Sequence, residues 1–186
     1  MFNDKQPLID SLSYYLSIAT IVGLIVLVIW VLLLIYSFVT KKECKLFSFI
    51  HRYALPFGFL GTLGAASLTL FYSDYLGVLP CGLCWFQRVA LYPQIFLYAL
   101  ALYKKDYKIF SYTLILSIFG EIVALYHSFL QWGYSEFIPC PVVASTVDCA
   151  KPSFMEFGFI SFPFMSFVLF GFLILLSLTV SLKNRK

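Results

Sequence analysis

The chain has 186 residues, of which 61% are hydrophobic and 20% aromatic, while only 12% are charged. A water-soluble domain of this size could not hide so much apolar surface, so composition points to lipid as the solvent. The net charge of +4 is no nucleic-acid signature, because the basic residues fall into short clusters between apolar runs and form no single patch.

The first apolar run spans roughly Leu12 to Val39. It is too long for the core of a cleaved signal peptide, the segment before it carries Asp4 and Asp10 against Lys5, and no small-residue cleavage site follows. It reads as a true membrane span. A basic connection with Lys41, Lys42, Lys45 and Arg52 leads to the second run, about Tyr53 to Tyr72, where Gly58, Gly61, Gly64, Ala65 and Ala66 favour close helix packing. A turn bracketed by Asp74 and Pro80 then reaches Cys81.

The third run, about Leu83 to Tyr103, crosses roughly 30 Å at ~1.5 Å per residue, about one hydrocarbon thickness. Pro93 inside it is expected to kink it, and Lys104, Lys105 and Lys108 close it. The fourth run, Ile109 to Gln131, holds Glu121 near its middle and His127 near its far end. An outer loop over residues 132–155 carries Cys140 and Cys149. The last run, about Phe157 to Leu182, has Pro163 in its first turns and is followed by the basic tail 183–186.

Ten of the thirteen Lys and Arg lie in the 41–52 connection, the 104–108 connection and the tail. Five spans bring these three segments to one side, which the positive-inside rule makes cytoplasmic. The expected architecture is therefore all-α and membrane-integral, with the N-terminus outside and the C-terminus inside. Residues 1–52 form an N-terminal unit, a span at about 12–39 plus its cytoplasmic connection, and residues 53–182 hold the other four spans. Cys44 falls on the reducing side; Cys81, Cys84, Cys140 and Cys149 face the oxidising one.

Cys81 and Cys84 stand in Pro80-Cys81-Gly82-Leu83-Cys84-Trp85-Phe86-Gln87-Arg88, at the expected start of the third helix. Unpaired N–H groups and the helix dipole favour a thiolate there. Arg88 lies one turn deeper on the face of Cys84, where its permanent charge could hold the sulfur as an anion or bind an electron-rich ligand. A structural disulfide with a snorkelling arginine is the bland alternative, though so small a ring is a poor staple. Cys140 and Cys149, nine residues apart, could be a loop staple, or could exchange with the first pair on the same side. A four-cysteine zinc site fits poorly with an oxidising compartment, so no metal is expected. Trp85 stands where haem attachment would need histidine.

With no nucleotide-binding glycine fingerprint in the chain, a lipid-soluble two-electron acceptor, a quinone, is the natural destination for electrons at Cys84. His127 could hydrogen-bond its carbonyl, relay a proton, or be a plain interfacial histidine. Glu121 receives no role. The other class of reading is a membrane scaffold or small transporter with purely structural outer disulfides.

The motifs CGLCWFQR, HSFLQ from His127 to Gln131, DCA from Asp148 to Ala150, and Pro163 opening the last span resemble the bacterial disulfide bond formation protein B family, DsbB with its short-loop BdbC branch. The resemblance covers about Tyr53 to Leu182. Vitamin K epoxide reductases place their loop cysteines before the membrane Cys-X-X-Cys, whereas here they follow it. The resemblance implies a four-helix redox bundle with one additional N-terminal helix, in a bacterial cytoplasmic membrane. It implies a thiol:quinone oxidoreductase, using ubiquinone or menaquinone, that reoxidises a thioredoxin-like extracytoplasmic oxidase of the DsbA or BdbD kind. Carried over, Cys140 forms the mixed disulfide with that partner, Cys149 exchanges with Cys81, Cys84 faces the quinone beside Arg88, and His127 lies near the same pocket. The span Leu12–Val39 is extra to this pattern.

Overall fold

The computed structural model describes residues 6–40, 45–134 and 147–184. These form five helices: α1 (Gln6–Thr40), α2 (Lys45–Leu70), α3 (Gly82–Lys104), α4 (Ile109–Gln131) and α5 (Phe162–Asn184). The fourth run matches its helix end to end. The others differ at their edges for physical reasons.

Helix α1 extends six residues ahead of Leu12, through a polar turn in which Gln6 Nε2 donates to Asp10 Oδ1 (3.4 Å). At ~1.5 Å per residue its 35 residues reach about 52 Å, beyond the roughly 30 Å of hydrocarbon. Residues 45–52, read as loop, are the first two turns of α2, which places Pro56 in a helix interior. After Leu70 the chain continues as a π-helical turn, Phe71–Tyr75, closed by Leu76 N–H donating to Phe71 O (3.0 Å). Pro93 does not interrupt α3. The last helix starts at Phe162 and not at Phe157, because Phe157 and Gly158 adopt left-handed backbone (φ 53° and 77°). They turn a small loop whose ends, Glu156 and Ile160, exchange two backbone hydrogen bonds of 2.9 Å. The outer connection thus runs to Ser161.

Helices α2, α3, α4 and α5 pack in a closed ring, α2 on α3, α3 on α4, α4 on α5 and α5 back on α2. Helix α1 stands outside the ring, against α5. Four helical segments, 6–40, 47–75, 109–131 and 162–183, are long and apolar enough to cross a membrane. Helix α3 is as long as α4 but more polar, since it carries Gln87, Arg88 and Gln94. All three are turned inward. It lies antiparallel between α2 and α4 along their length: Arg88 meets Thr69, Tyr98 meets Gly58 and Thr113, and Gln94 meets Ser117. A helix so sheltered needs less lipophilic surface of its own.

Close approach sets the core. A Cβ on Gly58 would lie 2.7 Å from the Tyr98 ring, and one on Gly120 would run into the Phe170 ring. Gly64 meets nothing, so of the small residues in α2 it is Gly58 that the packing requires. Two hydrogen bonds between buried side chains join α3 to α4, Tyr98 OH donating to Thr113 Oγ1 (3.1 Å) and Ser117 Oγ to Gln94 Oε1 (3.2 Å). At the end opposite Cys81, Lys183 Nζ donates to Ser48 Oγ (2.9 Å) and His51 stacks on Tyr107 (4.8 Å), which gathers the basic ends of α2, α3 and α5. Gly120→Val should overpack the α4–α5 contact and cost about 1–3 kcal/mol of stability, measured by thermal unfolding in detergent; Gly64→Ala should cost little.

Candidate functional site

The turn after α2 delivers Cys81 to the N-cap of α3, in extended conformation (φ −77°, ψ 173°). Its sulfur accepts the Cys84 amide N–H (3.4 Å), as oxygen caps do at other helix starts, and the two sulfurs are 2.9 Å apart. Both are free thiols; Cys81 is buried and Cys84 half-buried. The Cys84 thiol, donating to the Cys81 sulfur, is the main cause of a Cys81 pKa well below the usual thiol range. His127 and the Cys84 amide add to this, and burial opposes it.

His127 arrives from the last turn but one of α4 and is fully buried. Its Nδ1 is 3.3 Å from Gln87 Nε2, an amide nitrogen that can only donate. Its Nε2 is 3.2 Å from the Cys149 carbonyl, 3.3 Å from Gln131 Nε2 and 3.6 Å from Cys81 Sγ; a proton on Nε2 is donated to the carbonyl, the one partner of the three that only accepts. Gln131, one turn on, also donates to the Cys149 carbonyl (3.4 Å). Cys149 is disulfide-bonded, is fully buried and packs in one cluster with Cys81, Leu83 and Leu130. Its neighbour Asp148 caps the turn by accepting the Ala150 N–H (3.0 Å). The short loop thus holds Cys149 against the first pair. Cys140 and Cys44 lie outside the described residues.

Arg88 is buried, donates from Nη2 to the Thr69 carbonyl (3.1 Å) and lies over the Trp85 ring (5.2 Å). Its charge is held by a backbone dipole and an aromatic face. With Cys84 and Gln87 it forms the polar end of a cavity of about 530 Å³, otherwise mainly apolar, between α1, α2, α3 and α5. This is the size range of small-molecule sites. A separate narrow cleft at the cysteine end of the bundle is lined by Cys81, Cys84, Gln131, Asp148 and Lys151. Cys84 borders both spaces, and Cys81 borders only the outer cleft.

The six sequence candidates therefore divide. Cys84 and Arg88 meet at the cavity; Cys81, His127 and Cys149 meet behind the cleft; Cys140 is undescribed. His127 does not line the cavity, being committed to the cysteine carbonyl. Cys81, Cys84 and His127 bring ligand atoms within 4.8 Å of one another. Gln87, Gln131 and Trp85 were unassigned in the sequence. Gln87 and Gln131 carried the same signal as Arg88, a polar side chain spent inside an apolar run. Glu121 stands apart against Gly171 of α5, one carboxyl oxygen without a partner.

A bundle of spanning helices with a paired thiol at one mouth, backed by a third cysteine in a disulfide, defines a multi-pass membrane protein with thiol–disulfide chemistry. The family model of disulfide bond formation protein DsbB matches residues 51–180, and the chain belongs to the DsbB family. It is 35% identical over 138 residues to the SPbeta prophage-derived disulfide bond formation protein B of Bacillus subtilis, covering 74% of this chain and 91% of that one. It is 31% identical over 130 residues to the probable disulfide formation protein C 2 of Bacillus cereus, covering 69% and 90%. To a probable disulfide formation protein of Metapseudomonas resinovorans it is 32% identical over 119 residues, covering 62% and 79%. No solved structure matches the chain.

Because its sulfur is stabilised as an anion, Cys81 should stay a thiolate through neutral pH and be protonated only as pH falls through its lowered pKa. In a Cys140→Ser/Cys149→Ser background, thiolate absorbance of the reduced protein should persist far below the ~8.5 of a free thiol. Cys84→Ala should move that titration upward.

Proposed function

We propose that this chain is a thiol oxidase of a bacterial cytoplasmic membrane that reoxidises an extracytoplasmic thioredoxin-like dithiol protein and passes its electrons to a quinone. The observation that carries this reading is the division between the two thiols. Cys81 borders only the cleft beside the Asp148–Lys151 segment, and Cys84 borders the lipid-side cavity with Arg88. A purely structural disulfide would leave that cavity and its buried arginine without a purpose.

The exchange balances as follows. The partner dithiol reduces the Cys140–Cys149 disulfide and leaves oxidised. The Cys149 thiolate attacks Cys81 of the Cys81–Cys84 disulfide, releasing Cys84 as thiolate; Cys140 then attacks Cys149, restoring its own disulfide and releasing Cys81. Once Cys84 takes up a proton, its thiol can donate to the Cys81 sulfur and make Cys81 a better leaving group in that last step. His127 Nε2 lies 3.6 Å from Cys81 Sγ and 3.2 Å from the Cys149 carbonyl, and a proton on it can be donated to sulfur as charge develops there.

The cavity suits a prenylated quinone, since a cation and a thiol close one end and hydrocarbon lines the rest. Bound there, a quinone would supply the acceptor for two electrons and two protons when the Cys81–Cys84 disulfide re-forms. Arg88 would hold the polar ring end and oppose any negative charge gathering on it. The extracytoplasmic side for the cysteines is supported by the cluster of basic residues at the opposite end of the bundle.

The test uses purified protein, a reduced thioredoxin-like partner and a short-chain quinone. Cys84→Ser should abolish quinone reduction, and Arg88→Ala should raise the apparent KM for quinone tenfold or more. Full turnover by Cys84→Ser would overturn the mechanism, and an unchanged KM would remove Arg88 from the site.

A further inference from the structure

Helix α1 lies wholly outside the family match, which begins at residue 51. It is nevertheless not a bystander to the cavity. Leu16, Ala19, Thr20, Gly23, Val26 and Leu27 all line it, a stripe of three- and four-residue steps down one face of the helix. The stripe runs from the level of Tyr72, near the cysteine turn, to the level of Gly171 in the middle of α5. Over eleven residues that is about 16 Å of wall.

The helix is held above and below this stretch. On the outer side Ser13 Oγ bonds Tyr72 OH (3.2 Å), and Ile9 packs with Tyr72 and Leu76. On the inner side Leu27 reaches Gly171, and Trp30 packs edge-on to Phe172 (5.7 Å). Between these anchors three of the lining side chains are small, Ala19, Thr20 and Gly23, flanked by Leu16 and Val26. The Thr20 hydroxyl is spent on the Leu16 carbonyl (2.7 Å), so it makes no polar demand on the cavity. The result is a surface recessed and apolar beside a space that has its cation and thiol at the far side. Such a surface fits a flexible hydrocarbon chain and offers nothing to a polar ring.

We propose that α1 is the chain-binding wall of the acceptor site, and that its Leu16–Leu27 stripe selects quinones by their isoprenoid tail. This rests on the proposed function, because it assumes that the cavity takes a quinone. It assigns the ring to Cys84 and Arg88, and the tail to a helix extra to the four-helix core. It predicts a division of affinity: α1 governs long-chain quinones and is indifferent to a ring alone.

The test has a binding readout and a kinetic one. A prenylated quinone carrying a photoreactive azide at the far end of its tail is cross-linked to unaltered protein, and the labelled peptides are mapped. Label within residues 16–27 is expected. Ala19→Phe, which fills the recess, should lower long-chain quinone retained by the purified protein about tenfold. It should raise the apparent KM for that quinone by a similar factor, and leave the KM for the ring-only compound within about twofold. Label confined to α2–α5 in a protein that turns over quinone would overturn the role of α1 and leave the proposed function standing. If unaltered protein neither retains nor reduces any quinone, both fall. The cross-linking needs no variant, so a failure of Ala19→Phe to fold cannot decide the question.

Discussion

A helix that carries Gln87, Arg88 and Gln94 through a bilayer must hide all three, and much of this structure follows from that requirement. Lipid offers them no partners, so α3 packs between α2 and α4 with these side chains turned into the ring. Gln94 is satisfied by Ser117 and the Ala90 carbonyl, Gln87 meets His127, and Arg88 meets Thr69. The bonds to Ser117, His127 and Thr69 fix the register of α3 against α4 and α2. Once the register is fixed, the thiols at its N-terminus have nowhere to be but the mouth of the ring.

That position gives the two sulfurs unlike surroundings within a single helical turn. Cys81 caps the helix and faces the outer segment; Cys84 belongs to the first turn and borders hydrocarbon. A soluble dithiol site presents both sulfurs to one solvent. Here both sulfurs border one cleft, and Cys84 alone also reaches the apolar cavity.

Much of this was legible from the residues. The spans were visible as apolar runs, and α4 came out with its boundaries intact because no turn chemistry blurs either end. Arg88 and His127 stood out as ionisable groups inside lipid, where any such group needs a reason. Other parts were not legible. The start of α5 was misplaced because Phe157, a large apolar residue, reads as helix and gives no hint of its left-handed backbone. The seating of Cys149 against Cys81 depends on Asp148 capping a turn and on His127 reaching its carbonyl, contacts between segments far apart in the chain. The cavity wall on α1 was hidden for the opposite reason: a helix apolar on every side does not announce which face is occupied.

The partner chosen for Arg88 has an electrostatic consequence. A buried guanidinium is usually paired with a carboxylate, and the pair then presents almost no field to its neighbours. Arg88 leans instead on the carbonyl of Thr69, just ahead of the π-helical turn, and on the Trp85 ring. Both are neutral, so a full unit of positive charge remains uncancelled beside a cavity of low polarity, where charges are felt more strongly than in water. The site is thus biased toward whatever state of its contents carries the most negative charge, and the anchor that holds the charge in place is a backbone carbonyl, which a single side-chain substitution in α2 cannot remove.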